Sequence, residues 1–260
     1  MFVVVTWPRS GPISGIIAIC LNVALATAGI SAPSADGPTL GHSAQLIVVT
    51  APGWNASTAE LLCFERRGNP EKWHQAMTIP EVSIGRAGLG WGAGLHGRPP
   101  IKGPSKSEGD DRAPAGAFRL VEAFGFAGKR EAGITHFRYR KLTDDTEAID
   151  DPASRYYNRL VESAKIIPKD WKSSERMRQI GERYRCGVVV AHNWDQVPNR
   201  GSCIFLHVWP RGTGGTSGCT ALPGDSMERV IRWLDRRKNP VLVQLPRAEY
   251  VALRDRWRLP

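Results

Sequence analysis

Two side chains of the 260-residue sequence could perform covalent chemistry together, His207 and Cys219. His207 stands near the end of an apolar run, Cys203 to Trp209, that reads as a strand. A strand end holds an imidazole rigidly while its ring faces a cleft. The glycines Gly212, Gly214 and Gly215 then let the backbone reverse and approach a ligand with no Cβ in the way. Next comes Ser217-Gly218-Cys219, where a cysteine can expose its sulfur. Base, nucleophile and the backbone N–H groups of Gly218 and Cys219 are the parts that acyl transfer requires. An ordinary thiol, with a pKa of about 8.5, is mostly protonated at neutral pH. A histidine within hydrogen-bond reach can take its proton and leave a thiolate–imidazolium pair. A helix starting near Gly224-Asp225 would add partial positive charge close to the sulfur. Taken singly, a cysteine is more often a small buried hydrophobe and a histidine a structural hydrogen-bonder. Joined by a glycine-rich turn, they favour nucleophile and base.

The stretch resembles the signature of the L,D-transpeptidases (YkuD-like catalytic domain), in which a strand carrying His runs through a glycine-rich loop to Ser-x-Gly-Cys. The matching residues are Ile204-Phe-Leu-His207 and Thr216-Ser217-Gly218-Cys219-Thr220-Ala-Leu222. Three departures mark a divergent branch. No residue separates Ser217 from Gly218, Ala221 stands where the family often has arginine, and Val208-Trp209 replaces Gly-Thr after His207. A second segment, Asp110 to Phe118, resembles the family's Thr-Pro-x-Gly-x-Phe turn beside the substrate groove, with Ala113 in place of Thr. Pro114 and Gly116 would make the same tight turn on backbone grounds alone.

The resemblance implies a cysteine acyltransferase with catalytic Cys219, His207 and Gly218. His192, Trp209, Ser217 and Thr220 are the expected substrate contacts, and His192 is also the one rival to His207 as base. It implies a peptidoglycan stem tetrapeptide ending in D-Ala as donor, and a diaminopimelate side-chain amine or a free D-amino acid as acceptor. Carbapenem-type β-lactams would then be covalent inhibitors, and no cofactor or metal is needed. An L,D-carboxypeptidase or endopeptidase using the same residues, and a non-catalytic wall-binding protein, stand as alternatives.

Around these residues the composition sets the frame. Residues 1–28 carry Arg9, an apolar run from Ile13 and a small-residue end at Ala26-Thr27-Ala28, the pattern of a secretory signal peptide; an uncleaved anchor is the alternative. Residues 29–41 read as a linker and 42–260 as one catalytic domain, exported to the periplasm or envelope with no transmembrane span once the signal is removed. In that compartment Cys63, Cys186 and Cys203 could supply at most one disulfide, with Cys63–Cys186 conceivable. The net charge of +10 is dispersed and interleaved with acids, as in Glu175-Arg176-Met177-Arg178, and no nucleic-acid-binding motif accompanies it. No cysteine or histidine spacing suits zinc.

The elements that must position the pair read as mainly β: a sandwich or barrel-like L,D-transpeptidase catalytic fold with one or two short helices and a long inserted loop. Strands are expected at Gln45–Thr50, at Glu60–Arg66 in a hairpin with Trp73–Ile79, at Cys186–Val190 and at Val241–Leu245. Residues 143–172 read as polar and irregular, a substrate-facing lid, followed by a short helix that Ser174 or Ser173 would cap. Met227, Val230, Ile231 and Leu234 give one amphipathic helix over Asp225–Lys238, and the last fifteen residues suit a tail helix. Trp91 and His96, in a glycine-rich stretch, are expected to cover a sheet edge.

Overall fold

The computed structural model describes residues 37, 38, 40–67, 72–209 and 214–260. The expected signal segment 1–28 and most of the linker 29–41 lie outside them, as do Gly68-Asn69-Pro70 and Gly212. In chain order the strands are β1 (Gln45–Ala51), β2 (Thr58–Arg66), β3 (Trp73–Ser83), β4 (Leu89–Trp91), β5 (Ala113–Gly125), β6 (Tyr139–Lys141) and β7 (Thr146–Ile149). They continue with β8 (Arg159–Glu162), β9 (Glu175–Arg176), β10 (Cys186–Val190), β11 (Phe205–Val208), β12 (Thr220–Leu222) and β13 (Val241–Pro246). Two α-helices follow β12 and β13, α1 (Gly224–Trp233) and α2 (Arg247–Trp257).

The principal sheet runs β10-β11-β12-β3-β2-β1-β13-β5, and β5 pairs back onto β10, so the strands close on themselves. Closure removes free edges and gives the strands one shared interior. Leu61, Phe118, Val188, Leu206 and Leu222 belong to one buried apolar core with Leu46 and Val48, from the other face of β1, and with Met227, Val230 and Ile231 of α1. Among the described residues no helix is long and apolar enough to cross a membrane.

Between β6 and β10 the chain forms a small second sheet, β8-β7-β9, antiparallel at both pairings. The polar stretch expected to be an irregular lid is therefore an ordered insertion. Polar groups hold it together where apolar periodicity is weak. Glu147 accepts hydrogen bonds from Ser174 Oγ (2.6 Å), Trp171 Nε1 (2.9 Å) and Lys169 Nζ (3.2 Å). Burial raises that carboxyl, but the donors around it outweigh burial and bring it down to about 2. Ser174 is thus engaged by Glu147 and does not cap a helix; residues 175–176 are strand, and Met177–Tyr184 is a 3-10 segment kinked at Gly181. A second apolar cluster, including Phe124, Met177, Tyr184, Cys203 and Phe205, packs the insertion against the barrel beside β11.

Other expectations shift in detail. Pro114 and Gly116 lie within β5, and the turn precedes them, where Asp110 accepts from the N–H groups of Ser107 and Arg112. The helix expected over Asp225–Lys238 stops at Trp233, because Leu234 is extended; a separate 3-10 turn covers Arg236–Lys238. Leu40 is 3% exposed and Gly37 abuts the Trp257 ring, so the end of the expected linker is packed as part of the domain. His96 is buried in a ring cluster with Trp91, Phe118 and Trp257 and is not an edge cover. All four described cysteines are free thiols, so the conceivable Cys63–Cys186 bridge is absent from this structure.

Candidate active site

β11 and β12 run parallel, with Leu206 beside Thr220, His207 beside Ala221 and Val208 beside Leu222. Side chains alternate along a strand, so Leu206, Val208 and Leu222 enter the barrel core. The other face carries Phe205 and His207 from β11 and, next to them, Cys219 and Ala221. His207 and Cys219 accordingly open into one cavity of about 390 Å³. Its wall includes Tyr184 and Glu175 from the insertion, and Arg86 and Arg183 line it as well.

The sulfur is held by backbone. Phe205 N–H donates to Cys219 Sγ at 3.3 Å, and Sγ lies 3.6 Å from the Cys203 carbonyl oxygen. Thr216 fixes the approach to the cysteine: its hydroxyl donates to Cys219 O (2.5 Å) and accepts from Gly218 N–H (3.1 Å). Gly218 has φ +146°, a region L-residues avoid, and a Cβ there would come within 3.2 Å of Arg112 O and Ile204 Cδ1.

The imidazole is fixed by its neighbours. Nδ1 of His207 is 2.8 Å from Val208 O; a carbonyl only accepts, so Nδ1 carries the proton and Nε2 keeps its lone pair. Tyr184 stands edge-on to the ring, centroids 5.4 Å apart. Burial pushes His207 down to about 4, against the pull of the Val208 carbonyl, and Arg183 adds to the fall. Burial pushes the Cys219 thiol up to about 12, with the Glu175 charge adding and Phe205 N–H and Lys106 opposing. Burial therefore favours the uncharged forms of both groups, thiol and neutral imidazole, over an ion pair. In the chain, β12 lies between Cys219 and the start of α1.

A buried imidazole and a partly exposed thiol thus line one cavity, each braced by backbone. The family model for the L,D-transpeptidase catalytic domain (YkuD) matches residues 55–243, from the approach to β2 through the middle of β13. The chain belongs to the L,D-transpeptidase family. No curated protein and no solved structure matches it.

Within this L,D-transpeptidase domain the expected contact residues divide. Trp209 and Ser217 line the cavity, Ser217 Oγ accepting from Arg86 at 2.5 Å. Thr220 does not: it is 2% exposed and turned into the barrel, where its hydroxyl donates to Gln244 Oε1 at 2.7 Å. His192 is also elsewhere, 1% exposed, with Ala93 N–H donating to Nδ1 (3.3 Å) and Nε2 bonded to Arg200 O (2.8 Å). Both ring nitrogens are occupied, so it orders a loop and presents no lone pair to a cavity. Gly218 lies beside Cys219, but Thr216 has taken its N–H.

Several residues in or near the cavity carried no signal in the sequence. Glu175 and Tyr184 come from the insertion and bond each other, Tyr184 Oη donating to Glu175 Oε2 at 2.7 Å. Lys106 is a buried cation paired with Asp110 at 2.5 Å, and its charge is felt at Cys219. Asn158 joins the insertion to the barrel: Nδ2 donates to His192 O and Asn193 O, both 2.8 Å, while Oδ1 accepts from Cys203 N–H at 2.9 Å. Each is an isolated polar residue in a polar stretch, and only the folded chain sets it apart.

Proposed function

We propose that this chain is a cysteine-dependent L,D-transpeptidase that cross-links peptidoglycan stem peptides, or exchanges their terminal residue, through a thioester on Cys219. One observation carries the reading: His207 of β11 and Cys219, just before β12, share a cavity, with a main-chain N–H aimed at the sulfur. In the proposed cycle, Nε2 of His207 takes the thiol proton as Sγ attacks the carbonyl carbon before the terminal D-Ala. Burial disfavours separated charges before substrate arrives, which supports proton movement during the attack. The imidazolium passes the proton to the leaving nitrogen, the C–N bond breaks and the thioester remains. An amine then attacks the thioester and yields a proton to His207. The C–S bond breaks, and the proton returns to sulfur. With Gly218 N–H engaged, Cys219 N–H is the oxyanion donor in this scheme. Arg86 and Arg183 suit a donor bearing carboxylates.

Stem peptides lie outside the cytoplasmic membrane, so the reading includes export, with residues 1–28 as the signal. It also includes acylation of Cys219 by carbapenems. A second reading, a wall-binding protein without catalysis, is favoured by the thiol that burial pushes to about 12. Incubation with disaccharide-tetrapeptide, followed by mass spectrometry, separates the cases. Cross-linked dimer or exchanged tetrapeptide supports transpeptidation, tripeptide alone means a carboxypeptidase, and unchanged substrate from folded protein supports the wall-binding reading.

A further inference from the structure

Transpeptidation needs a second substrate, an amine, which enters the cavity as an ammonium ion and must lose a proton before it can attack. Among the described residues that line the cavity, Glu175 is the one carboxyl. It is delivered by β9, a two-residue strand of the insertion, and not by the barrel that carries Cys219 and His207. Tyr184 Oη occupies Oε2 at 2.7 Å, and Oε1 has no hydrogen-bond partner among the described residues. The same Tyr184 ring stands edge-on to His207, which puts the carboxyl one residue away from the base. The other charged groups lining the cavity are Arg86 and Arg183; Arg86 is already tied to Asp111 (3.0 Å) and Ser217 (2.5 Å). Among the described residues, a primary ammonium group therefore meets one complementary charge in this cavity.

We propose that Glu175 is the acceptor-binding residue of the site, its carboxylate receiving the ammonium group of the incoming amine and taking its first proton. The step balances. One proton passes from nitrogen to the Glu175 carboxylate, giving neutral amine and carboxylic acid. The amine nitrogen then forms a bond to the thioester carbon, the C–S bond breaks, and the second proton travels through His207 to the sulfur. Glu175 afterwards releases its proton to water. Burial raises this carboxyl, which makes its ionised form a stronger base than an exposed glutamate. The inference rests on the thioester reading above and names the residue that directs the acyl group to an amine in place of water.

The test uses disaccharide-tetrapeptide as donor and D-methionine as acceptor, with water competing for the same thioester. The ratio of D-methionine-exchanged tetrapeptide to tripeptide is measured for the parent protein, Glu175→Gln and Glu175→Asp. Each is normalised to the fraction of Cys219 that a carbapenem titrates. Glutamine keeps the size and offers a carbonyl oxygen to Tyr184, so the fold is preserved while the charge is lost. Loss of one charged hydrogen bond predicts a fall in the ratio of about ten-fold for Glu175→Gln. Glu175→Asp keeps the charge and is expected to fall in between. A ratio unmoved in Glu175→Gln, or a parent that gives only tripeptide at saturating D-methionine, overturns the inference and leaves the thioester reading standing. Folded parent protein that yields neither tripeptide nor carbapenem adduct overturns the thioester reading, and this inference with it.

Discussion

The main-chain N–H of Phe205 points at the sulfur of Cys219 from 3.3 Å. A donor of this kind favours thiolate over thiol, and it acts where burial works the other way. Lys106 supplies the second opposing influence, from a side chain only 3% exposed. Lys106→Met should therefore push the Cys219 thiol further up and slow its acylation by a carbapenem. It should also cost about 3 kcal/mol of stability, because Asp110 loses its buried partner. Acylation rates followed by mass spectrometry across pH 7–9 check the first point; equal rates in variant and parent would remove Lys106 from the site.

His207 is held near 4 by burial, so its imidazole is a free base at every pH above that value. The acid limb of kcat/KM should then fall as pH approaches about 4, and not near the ordinary histidine value of about 6.5. His207→Asn should lower turnover by about 10² to 10⁴ at neutral pH. A pH–rate profile on the parent and single-turnover rates on the variant measure both. A limb near 6.5 would mean that the ring is more solvated than the fold indicates.

Acid should also weaken the fold through histidines. His96, His192 and His207 are each pushed down to about 4 by burial. Between about 6.5 and 4 the unfolded chain binds protons at these rings and the folded chain does not, so stability declines as pH falls through that window. Below about 4 the penalty is complete and constant. Each ring contributes up to about 3 kcal/mol. Urea midpoints taken from pH 7 to pH 4 should decrease steadily, and a flat series would contradict the burial of these rings.

Thr216 bonds the main chain on both sides of the Cys219 side chain, through Gly218 N–H and Cys219 O. Thr216→Val keeps the shape and leaves those two backbone groups without their partner, at a cost of about 1–3 kcal/mol. The freed Gly218 N–H gives the experiment a second use. If the hydroxyl matters by ordering the loop, turnover falls together with thermal stability. Turnover that rises in a destabilised variant would instead mean that Gly218 N–H joins the oxyanion site once released.

Much of the barrel was legible because its strands are apolar and β-branched. Gln45–Ala51, Cys186–Val190 and Val241–Pro246 bury nearly every side chain, and their boundaries follow the sequence pattern closely. His207 and Cys219 were legible by residue type and by the glycines between them. The insertion was not. Its strands are two to four residues long and its interior is organised by Glu147 and Asn158, polar residues whose partners are distant in sequence. His192 could not be told from a site residue, because a buried histidine with both nitrogens satisfied looks like any other until its partners are known. Thr220 was misread for a simpler reason. It directly follows the nucleophile, and on a strand the adjacent residue faces the opposite side.

The central claim, that the sulfur of Cys219 carries the acyl group, is tested most directly by acid-quenching the protein during turnover of disaccharide-tetrapeptide and weighing it intact. A mass increase equal to the donor less its terminal D-Ala is expected, located on the peptide containing Cys219 and absent from Cys219→Ala. Product formation by Cys219→Ala at the parent's rate, or turnover with no adduct on any cysteine, would contradict it.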